Sequence, residues 1–212
     1  KKAIEVAAKA RLSNAGQVCT AAKRFIVQED VYDAFLEGLS QQFAKRRLGD
    51  PLDPETTLAP LSSKSAQEKL RKQVDMALAG GAKLLWGNNT PIKGPGAGFY
   101  PLIISGMKSD NPMYDQELFG PVAQVYKVKD EEEAVEVANA SQHGLGGTVF
   151  SEDLEQAERV ASKIETGQVA INQLLTSYPQ FPFGGVKFSG YGRELSDLGI
   201  REFINAKTII DS

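Results

Sequence analysis

Apolar positions along the chain follow two repeating patterns, one typical of helices and the other of strands. Residues 2–12 place apolar side chains at helical spacing, and residues 31–43 carry one at every fourth position. Between them, residues 24–28 contain three consecutive apolar side chains, which is typical of a buried strand. The chain therefore begins with a predicted helix, strand and helix, with Asp30 as the expected N-cap of the second helix.

The same alternation continues as far as residue 171. Further helices are predicted from Ser62 or Ser63, from an N-cap at Asp130, and over residues 153–165 with Leu154 facing inward. Short apolar runs predict strands at residues 83–86, 99–104, 122–128, 144–150 and 169–171. Alternating strands and helices predict an α/β fold, with a mostly parallel twisted sheet and helices on both faces. Ligand sites in such sheets are expected at the carboxyl ends of the strands.

No linker divides the chain, so residues 1–212 are interpreted as one domain. The stretch from Gly87 to Gly98 contains four Gly and two Pro and predicts a surface loop. This loop lacks the Gly-Lys-Ser/Thr ending and the following helix of a phosphate-binding loop, so that function is rejected.

Composition excludes several classes of protein. The net charge of −3 gives no electrostatic reason to expect nucleic acid as a partner. No apolar run reaches the length of about 18 residues that a membrane-spanning helix needs. A single cysteine in 212 residues forbids an internal disulfide and indicates a reducing, cytoplasmic location. The first residues do not form a signal peptide, and because no initiator Met is present, the chain is expected to be a fragment or a processed product.

Two features that suggest metal or acid–base chemistry receive structural interpretations. The acidic run from Asp130 to Glu133 is typical of the first turn of a helix, where the helix dipole favours acids, and no metal site is predicted. His143 is the only histidine, and it precedes a Gly-Leu-Gly turn. No catalytic role is assigned to it.

Cys19 is the candidate nucleophile of the chain. It follows Gly16 on a predicted turn between the first helix and the first strand, and a thiolate on such a turn is a strong nucleophile if it faces a cleft. A lone cysteine is otherwise a small buried hydrophobe. The spacing alone leaves both interpretations open.

Three motifs in register resemble those of the aldehyde dehydrogenase superfamily. They are Gly-Gln-Val-Cys at residues 16–19, Gln-Glu-Leu-Phe-Gly-Pro at 116–121, and Pro-Phe-Gly-Gly-Val-Lys-Phe-Ser-Gly at 182–190. The resemblance extends over nearly the whole chain but covers only the catalytic, C-terminal portion of the family. It implies that the nucleotide-binding domain and the general-base glutamate of a Glu-Leu-Gly-Gly segment are not in this chain. The isolated chain is therefore expected to bind its cofactor weakly and to turn over slowly or not at all.

The resemblance implies a role for each matching residue. Cys19 would attack an aldehyde, and the resulting thiohemiacetal would pass a hydride to NAD or NADP, leaving a thioester that water hydrolyses. The backbone N–H of Cys19 is a possible donor to the oxyanion. Glu117 resembles the residue that accepts hydrogen bonds from the nicotinamide ribose, and Phe119 resembles the aromatic that packs beside the nicotinamide. On residues alone, Glu117 would be a surface acid and Phe119 a core side chain.

Three further residues are implied in substrate binding. Phe183 resembles the ring at the wall of the aldehyde pocket, and Ser177 resembles a serine that binds a substrate carboxylate in the bacterial succinate-semialdehyde branch. Arg11 is a candidate for the same carboxylate. The better-known arginine of the family lies six residues before the thiol, where this sequence has Ser13.

Three functions remain in competition. The first is the catalytic domain of a nicotinamide-dependent aldehyde dehydrogenase that oxidises a small-molecule aldehyde, with succinate semialdehyde as the expected substrate. The second is a non-enzymatic assembly module, because the family forms oligomers and a homo-oligomer is expected here. The third is an acylating enzyme that releases the thioester to phosphate or coenzyme A. A reactive Cys19 separates the first and third from the second.

Overall fold

The computed structural model describes residues 1–92 and 96–212. Four strands form the main sheet in the order β2–β3–β4–β1. They are β1 (Arg24–Gln28), β2 (Lys83–Trp86), β3 (Leu102–Ser105) and β4 (Val122–Val128). Strand β4 pairs in parallel with both β1 and β3, and β2 runs antiparallel to β3 at the edge. The parallel centre confirms the predicted fold class.

Helices cover both faces of this sheet. They are α1 (Lys2–Leu12), α2 (Glu29–Ala44) and α3 (Lys64–Ala79). On one face, Leu102 and Ile104 of β3 lie in a core with Val74 of α3. On the other face, Ile103 packs in a core with residues of α1 and α2, including Leu39. Successive strand side chains point to opposite faces, so the continuous apolar run of β3 supplies both cores.

The observed helix starts agree with the predicted ones where the predicted N-cap side chain forms a hydrogen bond. Ser63 accepts a hydrogen bond from the N–H of Ala66, and Asp130 accepts one from the N–H of Glu133. The prediction of Asp30 as an N-cap was wrong, because α2 begins at Glu29 and its N-cap is Gln28 without a side-chain bond. Asp30 lies inside the first turn, where an acid still interacts favourably with the helix dipole.

The C-terminal part forms two small sheets and three further helices. The elements are α4 (Glu131–Asn139), β5 (His143–Gly144), β6 (Gly147–Val149), α5 (Leu154–Lys163), β7 (Val169–Ile171), β8 (Val186–Lys187) and α6 (Ser196–Arg201). Strand β6 pairs in parallel with β7, and β5 pairs antiparallel with β8. The sequence patterns did not indicate β8, because its two residues are too few to show a periodicity.

Burial in this part is lower than the patterns predicted. Val169–Ile171 is only partly buried, and Leu154 is exposed at the first position of α5, so its predicted inward orientation was wrong. Similarly, Val31 in α2 is exposed, and the neighbouring Tyr32 is buried instead. Both misplaced positions lie in the first turn of a helix, where the direction of a side chain depends on how the chain enters the helix.

The Gly- and Pro-rich stretch contains neither helix nor strand at residues 87–92 and 96–98, as predicted for a loop. Residues 93–95 of the predicted loop lie outside the described residues. Within the described ranges, no helix combines the length and apolar character needed to cross a bilayer.

An ion-pair cluster joins α4 to α5. Glu131 accepts hydrogen bonds from Arg159 at 2.8 and 3.0 Å, and Lys163 lies 3.2 Å from the same carboxylate. Hydrogen bonds from Arg159, with a smaller contribution from Lys163, lower the pKa of Glu131 to about 2. The charged form of Glu131 is therefore favoured in the folded chain.

Replacing a strand residue at the centre of the sheet should cost much of the stability. Leu102→Ala removes a side chain with 0 % exposure, and we expect the free energy of unfolding to fall by about 2–5 kcal/mol. Leu52→Ala is the matched control, because Leu52 is 90 % exposed, and it should change stability by less than about 0.5 kcal/mol. Urea unfolding followed by circular dichroism measures both. Equal losses in the two variants would contradict the assignment of this core.

The Glu131 cluster predicts a specific pH dependence. The pKa of Glu131 is lowered from 4.5 to about 2 in the folded chain, so its contribution to stability is complete above about 4.5 and is lost as the pH falls towards 2. The melting temperature of Glu131→Gln should therefore lie below that of the parent at neutral pH, and the difference should disappear at the acid end of this range. Glu158→Gln, at an exposed position of α5, is the control. A difference that persists unchanged to pH 2 would contradict the ion-pair origin.

Candidate active site

The candidate nucleophile lies on an irregular turn between α1 and β1. A short 3₁₀ helix, Ser13–Gly16, follows α1, and its residues Asn14 and Ala15 have positive φ angles of 48° and 54°. A second turn is closed by a hydrogen bond of 3.0 Å from the N–H of Ala21 to the carbonyl of Val18. Cys19 is on this second turn and is exposed. The thiol is therefore accessible, which excludes the interpretation of Cys19 as a buried hydrophobe. We call residues 16–21 the cysteine turn.

The Gln-Glu-Leu-Phe-Gly-Pro segment at residues 116–121 lies beside the cysteine turn because two strands pair. Cys19 precedes β1 and Glu117 precedes β4, and these strands are parallel neighbours with Arg24 opposite Gln124. The segments that enter parallel strands meet at the amino edge of the sheet. The expectation of a site at the carboxyl ends of the strands was therefore wrong for these two motifs.

Backbone contact between two glycines brings the segments close together. Gly16 has a φ of 77°, and a Cβ at this position would collide with the carbonyl oxygen of Gly120. The same Cβ would be 2.6 Å from a nitrogen of the Arg11 guanidinium. Only glycine fits this approach without displacing the Glu-Leu-Phe-Gly-Pro segment.

Lys23 joins the two motifs electrostatically. Its Nζ lies 2.7 Å from Oε1 of Glu117 and donates hydrogen bonds to the carbonyls of Cys19 at 2.8 Å and Val18 at 3.1 Å. The ammonium also lies 5.7 Å from the centre of the Phe119 ring, within cation–π range. Cys19, Glu117 and Phe119 are thus assembled around one cation.

Arg11 supports the turn from inside the protein. Its side chain is fully buried, and Nη2 donates a hydrogen bond of 2.7 Å to the carbonyl of Gly16. Burial lowers the pKa of Arg11 to about 10, and the negative charge of Glu117 opposes this effect. Arg11 therefore remains charged at neutral pH. Its observed contact stabilises the cysteine turn, and a direct contact with a substrate carboxylate stays a prediction.

The other two substrate candidates lie on the segment after β7. Ser177 is exposed, and Phe183 is partly buried, with its backbone paired to Glu194 through hydrogen bonds of 2.8 and 2.6 Å. Across residues 1–92 and 96–212, no hydrogen bond or ion pair joins Ser177 or Phe183 to the cluster around Lys23. Their role in substrate binding stays a prediction.

Sequence reasoning missed Lys23 and two glutamines. Gln17 accepts a hydrogen bond of 2.8 Å from the N–H of Ser62, and Gln73 donates one of 3.2 Å to the carbonyl of Glu117. A lysine four residues after a candidate thiol was the only available signal, and such a lysine is usually a solvated charge. In the described part of the chain, no group of three His, Cys, Asp or Glu side chains is arranged to bind a metal ion.

Comparison with known proteins identifies the family of this chain. The model of the aldehyde dehydrogenase family matches residues 1–209. The chain therefore belongs to the aldehyde dehydrogenase family, which confirms the resemblance carried by the three motifs.

Within this family, the chain is similar to proteins named succinate-semialdehyde dehydrogenase [NADP(+)]. It is 50% identical over 206 residues to that of Deinococcus radiodurans, covering 97% of this chain and 43% of the relative. It is 47% identical over 208 residues to that of Mycolicibacterium paratuberculosis, covering 98% and 44%. The crystal structure of succinic semialdehyde dehydrogenase from Streptococcus pyogenes with NADP+ superposes with a TM-score of 0.93 at 54% identity, covering 96% and 45%. The chain spans less than half the length of these relatives.

The contact between the two glycines predicts an unequal effect of two similar substitutions. Gly16 and Gly81 both have positive φ, but a Cβ at Gly81 meets nothing within 4 Å. Gly81→Ala should lower the free energy of unfolding by about 1–2 kcal/mol from backbone strain, and Gly16→Ala by about 1–3 kcal/mol more from the added collision. Chemical denaturation measures both. Equal losses would show that Gly16 and Gly120 are not in contact.

Proposed function

We propose that residues 1–212 are the thiol-bearing catalytic domain of an NAD(P)-dependent aldehyde dehydrogenase that oxidises succinate semialdehyde to the dicarboxylic acid. The observation that carries this proposal is the cluster around Lys23, which places the exposed Cys19 turn next to Glu117 and Phe119. A nucleophile and a group suited to bind a nicotinamide ribose must be close together for this reaction. The named relatives support the choice of substrate and of NADP over NAD.

The chemistry on Cys19 needs an accessible thiolate and a donor for the developing oxyanion. The thiolate adds to the aldehyde carbon, and the carbonyl oxygen becomes the alkoxide of a thiohemiacetal. Among the described residues, no acceptor is recorded for the backbone N–H of Cys19, so this N–H is available to the alkoxide. A nicotinamide cofactor held at Glu117 and Phe119 would supply the hydride acceptor that converts the thiohemiacetal to a thioester. Water then hydrolyses the thioester, which releases the acid and regenerates Cys19.

The two cofactor candidates suit a nicotinamide ribose. The side chain of Glu117 is 42% exposed, and one of its oxygens is bonded to Lys23. In the described part of the chain the other oxygen has no donor, so it can accept a hydrogen bond from a hydroxyl of a vicinal diol. Phe119 is also exposed beside it and offers an apolar ring to a base plane. These residues fit one edge of the cofactor, and the substrate carboxylate is assigned to Ser177, with Phe183 as a pocket wall and Arg11 as an indirect contributor of positive charge.

Assembly with a second copy is part of the same proposal. The C-terminal part exposes large apolar side chains at Phe188, Tyr191, Ile200, Phe203, Ile209 and Ile210. Exposed apolar side chains in such number are typical of a surface that another protein surface covers. We infer a homo-oligomer, and this observation is also the one that favours the alternative of an assembly module. The free thiol suits the reducing cytoplasm.

Acylation of Cys19 by p-nitrophenyl acetate tests the enzymatic proposal without the cofactor. We expect a burst of nitrophenol approaching one equivalent per chain, with an acetyl group located on Cys19 by mass spectrometry, because Cys19 is exposed and its backbone carbonyl is bonded to the Lys23 cation. The Cys19→Ser variant should give no burst. A folded parent chain without an adduct would contradict the proposal for this chain and favour the assembly module.

The product formed from the acyl-enzyme distinguishes the proposed function from the remaining alternative, an acylating enzyme. Hydrolysis to free acetate supports the aldehyde dehydrogenase. Faster release after addition of phosphate or coenzyme A, with acetyl phosphate or acetyl coenzyme A as the product, would instead identify an acylating enzyme.

A further inference from the structure

Lys23 uses all three of its N–H donors on groups of the candidate site. Its acceptors are the carbonyls of Val18 and Cys19 and Oε1 of Glu117, at 3.1, 2.8 and 2.7 Å. A lysine ammonium has three donors and no acceptor, so its hydrogen-bonding capacity is filled by these three groups. Two belong to the cysteine turn, and one belongs to the segment that precedes β4.

This ion pair differs from a solvated surface pair. The side chain of Lys23 is only 16% exposed. Burial lowers the pKa of Lys23, and the hydrogen bond and negative charge of Glu117 act in the opposite direction. The charged and titratable groups that act on Lys23 are Glu117, Arg11 and Cys19. An ammonium that loses solvation in this way is stabilised by a partner at fixed distance, so Lys23 and Glu117 determine each other's position.

The carboxylate of Glu117 depends on this contact for its orientation. The backbone carbonyl of Glu117 is bonded to Gln73, but in the described ranges Lys23 is the one residue recorded within hydrogen-bonding distance of its carboxylate. Without Lys23, a side chain that is 42% exposed would turn into solvent, where no interaction favours one rotamer. The distance between Glu117 and the cysteine turn would then be undefined.

We propose that Lys23 is a positioning residue, which fixes the Glu117 carboxylate against the cysteine turn and holds a positive charge at the backbone carbonyl of Cys19, where it acts on the thiolate. This inference rests on the proposed function for its catalytic meaning, because Glu117 binds the cofactor only in that proposal. The geometry itself does not depend on it. Both the position of the ribose-binding carboxylate and the reactivity of the nucleophile therefore depend on the hydrogen bonds of Lys23.

Alkylation of Cys19 by iodoacetamide tests whether the positive charge of Lys23 acts on the Cys19 thiolate. Because Cys19 is the only cysteine of the sequence, the rate reports this thiol alone, and its pH dependence follows the thiolate fraction. In Lys23→Met the midpoint of the pH–rate profile should move to higher pH, because the thiolate loses a nearby positive charge, and alkylation below the midpoint should be about three- to tenfold slower. Lys23→Arg, which keeps the charge, should show little of this shift. Lys45→Met, on an exposed lysine at the end of α2, should leave the profile unchanged.

A double-variant cycle with Glu117→Gln tests the positioning. In the parent chain, Glu117→Gln should lower the midpoint, because the anion is removed while the amide still accepts a hydrogen bond from Lys23. In the Lys23→Met background the same change should have a smaller effect, because the released carboxylate is already in solvent and is screened. Equal shifts in both backgrounds would overturn the positioning role.

A purely structural role of Lys23 gives a different result. A loosened turn would change the limiting rate at high pH and leave the midpoint in place, so an unshifted midpoint in folded Lys23→Met would overturn the proposal. Circular dichroism and thermal unfolding establish folding, and Lys23→Gln replaces Lys23→Met if the latter does not fold. The test uses no turnover and no ester. A chain that fails to form an acetyl adduct but shows the predicted midpoints contradicts the proposed function and leaves this inference standing.

Discussion

The candidate site depends on the parallel pairing of β1 with β4. Two segments nearly a hundred residues apart in sequence enter adjacent strands in the same direction, with Arg24 opposite Gln124. Their preceding loops must therefore lie side by side at one edge of the sheet. The buried apolar runs of β3 and β4 secure this arrangement, because each strand supplies side chains to both cores. A shift of the register would separate the thiol from the carboxylate.

Polar groups around this edge lose contact with water and form defined hydrogen bonds and ion pairs instead. Arg11 is fully buried with a hydrogen bond to the carbonyl of Gly16, and within residues 1–92 and 96–212 its Nε and Nη1 have no hydrogen-bond partner. Burying such a charge is unfavourable, and the nearby carboxylate of Glu117 offsets part of the cost. The two cations Arg11 and Lys23 thus both donate to carbonyls of the cysteine turn, and Glu117 acts electrostatically on both. This local excess of positive charge exists in a chain whose net charge is −3, and it suits a site that generates anionic intermediates.

The remainder of the chain serves as support and as surface. An ion-pair cluster ties α4 to α5, and Arg24 bonds the carbonyls of Val137 and Ala138 near the end of α4, which joins the C-terminal part to β1. Beyond these contacts, the C-terminal part exposes apolar side chains, and the chain spans less than half of its relatives. The substrate candidates Ser177 and Phe183 lie in this part, outside the hydrogen-bonded cluster of the thiol. The proposed site therefore divides into a pre-organised chemical half and a more exposed binding half.

The sequence by itself determined the local structure and the family. Apolar patterns predicted helices α1 to α5 and the four strands of the main sheet, since burial selects side chains in the period of each element, and three motifs in register gave Cys19, Glu117 and Phe119 as candidates. The short helix α6 was not predicted. Tertiary structure decided everything that depends on strand order and on charge. It placed the site at the amino ends of β1 and β4, buried Arg11, and turned Lys23 from an ordinary charged residue into the centre of the cluster. The physical reason is that hydrogen bonds and ion pairs form between groups that the fold brings together, and neither distance nor solvation is encoded in residue spacing.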